Sequence, residues 1–277
     1  MNDKSGRHWD AAHAASWDKW FHVIADGAQG LSERMIELAA LEPGDRVLDI
    51  ATGLGEPAVT AAQRVGPEGS VLATDLSEDM LAFGRRRAQA LGLGNIAFEK
   101  MDAQALALPE AAFDAVLCRW GLMFVSDLEA AMAGIRHCLK PAARFVSAIW
   151  GPAEGAPGVG LSARVVRAHL GMAPPEEGAG TPFAFSDVDA FARRLAAAGF
   201  TEVGGEWVEV PFAFESAEEF TRFRFDRSGP LRREIADYPE AEQAAAWRAL
   251  TEAARAFAAP DGSLRLNNQA YCVAARA

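Results

Sequence analysis

The chain has few cysteines, histidines and tyrosines, and this scarcity excludes several kinds of protein. Its 277 residues include three cysteines, five histidines and two tyrosines. The cysteines, Cys118, Cys138 and Cys272, lie far apart, and no C-x-x-C pair occurs. We therefore expect neither a disulfide framework nor a metal site of the usual spacing. The simplest interpretation is reduced, buried thiols in a cytoplasmic protein.

Basic residues and long apolar runs are lacking as well. The formal net charge is −11, so we expect no nucleic-acid partner, because a phosphate track requires a basic face. No apolar run approaches the ~18 residues that a membrane span needs. Residues 1–7 precede no apolar segment typical of a signal peptide. These absences predict a cytoplasmic protein without a membrane span, and they leave its oligomeric state, monomer or homodimer, open.

The segment over residues 46–58 is the most informative part of the chain. Residues 46–50 are typical of a short buried strand, Gly53 and Gly55 follow in a turn, and Pro57 suits the first turn of a helix. A strand, a glycine turn and a helix in this order bring backbone close to a ligand and direct helix N–H groups at its polar end. The pattern predicts a site for a nucleotide-like cofactor.

The glycine turn alone leaves alternatives open. Gly53-x-Gly55-x-x-Ala58 also satisfies the dinucleotide pattern, with Asp75 near the position of a ribose-binding acid, so an NAD-dependent oxidoreductase is one alternative. Against it, about 40 residues precede the first strand and no Tyr-x-x-x-Lys pair occurs. A protein that binds the cofactor without catalysis is a further alternative, as is a simple β–α turn.

Strands and helices alternate through the middle of the chain. Strands are predicted at 46–51, 71–74, 96–100, 113–118 and 144–150, and the helices between them at 56–65, 78–91 and 127–139. This alternation predicts parallel strands with helices on both faces, a doubly wound Rossmann-like α/β fold. The predicted units are an N-terminal helical lid over 1–42, a cofactor-binding core over 43–150, and a remainder over 151–277. That last unit contains strands near 207–214 and 268–275 and a helical substrate cap.

Acidic residues stand in or just after three of the predicted strands. Asp49 lies in the first, Asp75 ends the second, and Asp102 follows the third. Because ligands bind outside the carboxyl ends of parallel strands, the three carboxylates should line one cleft. That charge would repel a pyrophosphate and attract a cation. The electrostatics therefore favour S-adenosylmethionine, a sulfonium with a free amino group, over NAD.

Each predicted cofactor contact has a physical role. Asp75 accepts hydrogen bonds from the ribose hydroxyls, and Leu76 and Met80 flank the adenine with apolar surface. Asp102 accepts from the adenine amino group, and the Ala103 N–H donates to the ring. The glycine turn approaches the methionine part, whose ammonium the main chain at Arg119 would bind. The predicted cofactor-binding residues are Asp49, Gly53, Gly55, Asp75, Leu76, Met80, Asp102, Ala103 and Arg119.

The methyl acceptor is expected beyond the fourth and fifth strands, beneath the cap. Trp120, Met123 and Trp150 are predicted to line its pocket, and the cap is rich in phenylalanine. An apolar or aromatic small molecule is therefore the predicted substrate. No general base is assigned; the candidate among the histidines is His22, on the predicted lid.

Residues 44–150 resemble a class I S-adenosylmethionine-dependent methyltransferase, of the group that includes the ubiquinone/menaquinone-biosynthesis enzymes. The matching segments are 47–55, 74–81, 101–103, 113–116 and 139–141. The resemblance implies a seven-stranded sheet whose last strand, 268–275, is antiparallel and lies beside strand five. O- or C-methylation is favoured, with S-adenosyl-L-homocysteine as product. The family usually has glycine where this chain has Ala51 and Ala142-Ala143, so the latter turn must avoid positive φ or bear strain.

Overall fold

The computed structural model describes residues 11–175, 178 and 180–277. Residues 1–10 of the predicted lid lie outside the described residues. The strands are β1 (Arg46–Ile50), β2 (Ser70–Asp75), β3 (Ile96–Lys100), β4 (Phe113–Arg119), β5 (Leu139–Trp150), β6 (Thr201–Phe214) and β7 (Leu264–Arg276). The helices are α1 (Ala11–Lys19), α2 (Phe21–Leu38), α3 (Ala58–Val65), α4 (Glu78–Ala90), α5 (Leu128–Cys138), α6 (Pro157–His169), α7 (Val188–Ala197), α8 (Ala217–Arg227), α9 (Gly229–Glu234) and α10 (Glu240–Ala254).

All seven strands form one sheet in the order β3-β2-β1-β4-β5-β7-β6. β1 to β5 pair in parallel, whereas β7 runs antiparallel to both β5 and β6. The predicted doubly wound sheet is confirmed, including the antiparallel strand inserted beside β5. The chain reverses its lateral direction at β1 and β4, and a ligand is expected at the carboxyl ends of these strands.

The central strands are apolar along nearly their whole length because both of their faces are covered. Val47 and Leu48 of β1 are fully buried, and so is the run 115–118 of β4. Strands buried on both faces lack the alternation of a half-exposed strand, as expected of parallel sheets under helices. Asp49 and Ser147 are buried among these apolar residues, and the former bears on the site.

Three strands begin at least four residues earlier than the sequence predicts; one of them, β7, starts at Leu264 rather than near 268. β5 starts at Leu139 rather than 144, and β6 starts at Thr201 rather than 207, each with a shift in register near its start. The start of β5 contains Pro141, and Ala142 has φ +62°. Both features are typical of a turn, which is why the sequence did not predict a strand there. Ala51 has φ +54°, so Ala51 and Ala142 both hold a left-handed backbone at positions where the family that the chain resembles usually has glycine. The turn at Ala142 therefore bears strain rather than avoiding positive φ.

The two N-terminal helices have different roles. α2 is a core helix, since Leu31 and Met35 are fully buried and the helix packs along β6. α1 instead packs against α4 and α8, and its His13 and Trp17 face the main cavity. Only α1 thus has the placement of a lid. Across the described residues, no helix combines the length and the apolar character needed to traverse a bilayer.

Candidate active site

One large cavity opens at the carboxyl ends of the parallel strands. Its volume is about 1260 Å³, above the ~300–1,000 Å³ typical of a pocket for one small ligand. It therefore has room for a cofactor and a second molecule. The predicted residues that line it are Gly53, Asp75, Leu76, Met80, Asp102, Ala103, Arg119, Trp120, Met123 and Trp150.

The turn after β1 requires glycine at two positions. Gly53 has φ +57° and Gly55 has φ +93°, backbone conformations that L side chains rarely adopt. A Cβ on Gly55 would also lie 3.3 Å from the Cα of Gly84 on α4. Gly53 lies at the cavity wall, whereas Gly55 lies beneath it and lets α4 approach the turn. Only the first glycine is placed to contact a ligand.

The carboxylate of Asp75 is held by two backbone donors. The Gly53 N–H donates to Oδ2 and the Ser77 N–H donates to Oδ1, each at 2.9 Å. Burial raises the pKa of Asp75, and these backbone hydrogen bonds oppose that rise. An ionised carboxylate offers about four acceptor positions, so two remain for other donors. Its place at the end of β2 and on the cavity wall suits it to the two hydroxyls of a ribose.

Asp49 lies behind the glycine turn and is fully buried. Its Oδ2 accepts the N–H of Ala58 at 3.1 Å, at the start of α3. Within the described residues, Oδ1 of Asp49 and the hydroxyl of Thr52 have no hydrogen-bond partner. Burial raises the pKa of Asp49 to about 7, and the nearby Thr52 hydroxyl and then the charge of Arg119 oppose the rise. Thr52 lines the cavity but Asp49 does not, so a cationic ligand at this turn would stabilise the ionised form of Asp49 through its charge rather than by contact.

Asp102 has a neighbour that the sequence analysis missed. Oδ1 of Asp102 accepts from the backbone N–H and the side-chain amide of Gln104, at 2.9 and 3.2 Å. The Gln104 Oε1 in turn accepts the N–H groups of Ser126 and Asp127, at the start of α5. This network fixes the loop after β3 and holds Asp102 at the cavity. Beside it, Leu76 is 40% exposed and offers apolar surface to a ring.

Two stacked tryptophans form the wall beyond β4 and β5. The rings of Trp120 and Trp150 lie 4.3 Å apart at an interplanar angle of 14°. Trp120 has φ +59°, which is a strained conformation for a bulky residue. Its indole N–H is buried and has no hydrogen-bond partner in the described part of the chain. The backbone strain of Trp120 and its unsatisfied indole N–H, both at the stacked pair, indicate that this wall is shaped for a ligand.

Buried charges behind this wall connect the cofactor turn to α2 and α4. The side chain of Arg119 donates to the Ser32 hydroxyl at 2.7 Å. Glu56, directly after the glycine turn, is 5% exposed and accepts from Arg87 of α4 at 2.6 Å. The guanidinium of Arg87 also lies 4.6 Å from the ring of Phe21. The sequence analysis missed Glu56 because its partner Arg87 stands 31 residues away. The signal that could have identified it is an acidic residue immediately after the glycine turn. Binding by the main chain of Arg119 stays a prediction.

The histidine at the cavity is not the one that the sequence favoured. His22 lies on the exposed face of α2, beside the ring of Trp20, and does not line the cavity. His13 of α1 does line it and accepts the indole N–H of Trp17 on Nε2 at 2.6 Å. The exposed position of His22 does not suit a base acting within the cavity.

α1 is fastened over the cavity by the C-terminal end of α8. Asp226 accepts from Lys19 at 2.7 Å and from the indole N–H of Trp20 at 2.8 Å. The guanidinium of Arg227 lies 3.2 Å from the ring centroid of Trp17. These contacts join residues more than 200 positions apart and hold α1 in a closed position.

We expect Asp226→Ala to loosen α1 without unfolding the sheet. The variant leaves the buried Trp20 N–H without its acceptor, and a hydrogen bond to a charged group contributes about 1.5–3 kcal/mol. Amide hydrogen exchange over residues 11–19 should therefore accelerate by roughly tenfold or more. Asp18→Ala, an exposed change on α1 itself, is the matched control. Equal exchange in both variants would show that α8 does not hold the lid.

Comparisons with known proteins agree with this geometry. Residues 47–142 match the family model described as a methyltransferase domain. A ubiquinone/menaquinone biosynthesis C-methyltransferase of Teredinibacter turnerae is 38% identical, over 52% of this chain and 59% of its own length. One of Ectopseudomonas oleovorans is 39% identical, over 47% of this chain and 78% of its length.

The fold is shared with a solved S-adenosylmethionine-dependent methyltransferase of Aquifex aeolicus. The TM-score is 0.53 at 22% identity, covering 73% of this chain and 94% of that one. The match to the Teredinibacter turnerae relative covers about half of this chain and spans little more than half of the length of that relative. The match to the family model, over residues 47–142, covers the strands on the cofactor side of the cavity.

Proposed function

Because the chain belongs to the class I S-adenosylmethionine-dependent methyltransferases, we propose that it methylates a carbon or oxygen atom of an aromatic small molecule. S-Adenosylmethionine is the methyl donor of this class, and the residues at the carboxyl ends of β1, β2 and β3 are those that would hold it. Carbon is favoured as the target because the similar curated proteins are named C-methyltransferases.

One observation carries the proposal. The cavity that begins at Gly53 and Asp75 continues without a break to Trp120 and Trp150. Its volume of about 1260 Å³ accommodates a donor at one end and an acceptor at the other. The stacked tryptophans favour a flat, apolar acceptor, since offset or edge contacts between aromatic rings contribute about 0.5–1.5 kcal/mol beyond the area they bury.

The chain's own residues act by positioning and by excluding water. When bound, S-adenosylmethionine supplies an activated methyl group on a sulfonium. Holding two reactants in line contributes roughly 7–11 kcal/mol toward the barrier, so orientation is the main task of the protein. Asp75 and Asp102 would fix the donor, Trp120 and Trp150 would fix the acceptor plane, and α1 would close the cavity to solvent.

Formation of S-adenosylhomocysteine tests the proposal. The purified protein with S-adenosylmethionine should produce it on some members of a panel of quinols, phenols and aromatic polyketides, and mass spectrometry should show 14 Da added to the acceptor, about the mass that one methyl group adds in place of hydrogen. Trp120→Ala should lower kcat/KM for those acceptors by roughly tenfold or more, because it removes one half of the stack. Turnover only on transfer RNA or peptides would overturn the substrate class.

Two further outcomes separate the alternatives. Tight binding of S-adenosylhomocysteine without turnover on any acceptor would favour a non-catalytic cofactor-binding protein. Stabilisation against heat by NADH, but not by S-adenosylhomocysteine, would instead favour an oxidoreductase. A ligand present at 100 times its Kd should raise the free energy of unfolding by about 2.7 kcal/mol, which is readily measured.

A further inference from the structure

Four residues that line the cavity stand at the ends of neighbouring strands. They are Asp102 after β3, Asp75 at the end of β2, Gly53 after β1 and Arg119 at the end of β4. Because these strands adjoin in that order, the four residues follow one another along one edge of the sheet. S-Adenosylmethionine is a linear molecule that runs from adenine through ribose and sulfonium to an amino acid. With adenine at Asp102 and ribose at Asp75, the amino acid would point toward Arg119.

The guanidinium of Arg119 is oriented from behind by α2. One terminal nitrogen donates to the hydroxyl of Ser32, a fully buried residue of that helix, at 2.7 Å. Within the part of the chain that the structure describes, the Arg119 side chain has no other hydrogen-bond partner. Its remaining N–H groups are open to the cavity that the residue lines. Arg119 therefore presents oriented donors to a ligand at this end of the cavity.

Two carboxylates lie near Arg119 without bonding to it. Glu56 accepts instead from Arg87 of α4 at 2.6 Å, and Asp49 accepts from the backbone at the start of α3. Burial lowers the pKa of Arg119, and the charges of Glu56 and Asp49 oppose that fall. The two acids thus balance part of the charge of Arg119 from a distance, while the N–H groups that face the cavity stay available.

Charges of both signs at this end of the cavity match a zwitterion. The amino acid of the donor carries an ammonium and a carboxylate on the same carbon. The acids near the glycine turn attract the ammonium, and a guanidinium matches the two oxygens of a carboxylate with its planar fork of N–H groups. Because Arg119 is already partly buried in the free protein, an arriving carboxylate is attracted more strongly than it would be in water.

We propose that the side chain of Arg119 binds the α-carboxylate of the methyl donor and restricts the site to donors with an intact amino acid. The inference rests on the proposed function and deepens it, because it names the residue that recognises the amino-acid end of the donor. The sequence predicted only a main-chain contact at this residue, with the ammonium. The guanidinium carbon also lies 5.0 Å from the centroid of the Trp120 ring, so this end of the donor would stand beside the wall proposed for the acceptor.

Two probes of nearly the same shape test the assignment by calorimetry. One is S-adenosylhomocysteine, and the other is its α-carboxamide, which keeps the ammonium but replaces the carboxylate with a neutral amide. We expect the unmodified protein to bind S-adenosylhomocysteine roughly tenfold or more tightly than the carboxamide, because the amide loses a charge-assisted pair of hydrogen bonds. The ratio of the two affinities is the selectivity of the site.

Variants show whether Arg119 is the source of this selectivity. Arg119→Gln should weaken binding of S-adenosylhomocysteine by roughly tenfold or more without weakening that of the carboxamide, so that the selectivity disappears. Arg119→Lys keeps the charge but not the planar fork, and it should retain part of the selectivity. Arg64→Gln, the matched control, removes the same charge from an exposed position near the end of α3 and should leave both affinities unchanged.

Melting temperatures without ligand show whether each variant is folded. If neither Arg119 variant folds, Ser32→Ala takes their place, because it removes the hydrogen bond that orients the guanidinium and leaves the charge. Ser32→Ala should lower the selectivity by roughly threefold or more, since the side chain must then be ordered when the ligand binds.

Three results would overturn the proposal. They are equal affinity of the unmodified protein for the two probes, unchanged selectivity in the folded variant, and equal weakening of both probes by that variant, which a merely structural role would produce. In each case S-adenosylhomocysteine still binds to the unmodified protein, so the proposed methyltransferase function stands. Failure of S-adenosylhomocysteine itself to bind would instead refute the function on which the inference rests.

Discussion

Asp75→Asn should weaken the binding of S-adenosylmethionine by roughly 100-fold, because the variant removes a charged acceptor from the ribose. The carboxylate faces two backbone donors, from Gly53 and Ser77, and has acceptor positions left for a diol. An amide keeps one oxygen and turns an N–H₂ group toward a backbone N–H. Hydrogen bonds to a charged group contribute about 1.5–3 kcal/mol each, and losing about 3 kcal/mol corresponds to the expected change.

Titration of S-adenosylhomocysteine into both proteins measures this effect, since the product shares the ribose. Asp79→Asn is the matched control; it removes the same charge from an exposed position in the first turn of α4. The melting temperature without ligand shows whether Asp75→Asn also loosens the turn after β1. Unchanged affinity in a folded Asp75→Asn protein would mean that the ribose does not lie at the end of β2.

The cofactor half of the cavity was predictable from sequence because its residues stand at strand ends. In a parallel sheet, strand order alone brings Asp75 and Asp102 to the same edge, and the turn at Gly53 follows directly from β1. The position of these residues relative to the strand ends in the sequence was therefore enough to predict that they lie together. The apolar residues over 268–275 predicted β7 as a strand. Its antiparallel place beside β5 was predicted only through the resemblance to known methyltransferases, since nothing local shows which strand it will pair with.

The remaining parts of the site depend on contacts between distant segments. Glu56 meets Arg87 from the next helix, and Asp226 meets α1 across more than 200 residues. The periodicity of apolar residues along a sequence does not show which distant polar side chains will pair. His22 was misplaced for a related reason: the spacing of apolar residues predicts a helix, but it does not show which polar side chain of that helix faces a cavity. Arg224 and Arg227 of α8 line the cavity whereas Arg222 of the same helix is exposed, a difference that depends on how the cap packs.

Asp49→Asn should abolish the pH dependence that this buried carboxyl imposes on stability. The carboxyl has an ordinary pKa of 3.8, which burial raises to about 7 in the folded protein. Between those pH values the folded state binds the extra proton, so the contribution of Asp49 to stability falls as pH rises. Asn resembles the protonated acid and never ionises. The stability of the variant relative to the wild type should therefore increase by up to about 4 kcal/mol from pH 4 to pH 8.

Urea unfolding at several pH values, with Asp18→Asn as an exposed control, measures this difference. A constant difference in stability between wild type and Asp49→Asn would show that Asp49 ionises at its ordinary pKa and is not strongly desolvated.

Binding of S-adenosylmethionine should also depend on the ionisation of Asp49. A cation at the glycine turn favours the ionised carboxylate, so S-adenosylmethionine should displace up to one proton near pH 6.5, a proton that Asp49→Asn would not release. Calorimetry in buffers of different ionisation enthalpy counts that proton, and its absence in the wild type would place the cofactor's ammonium away from Asp49.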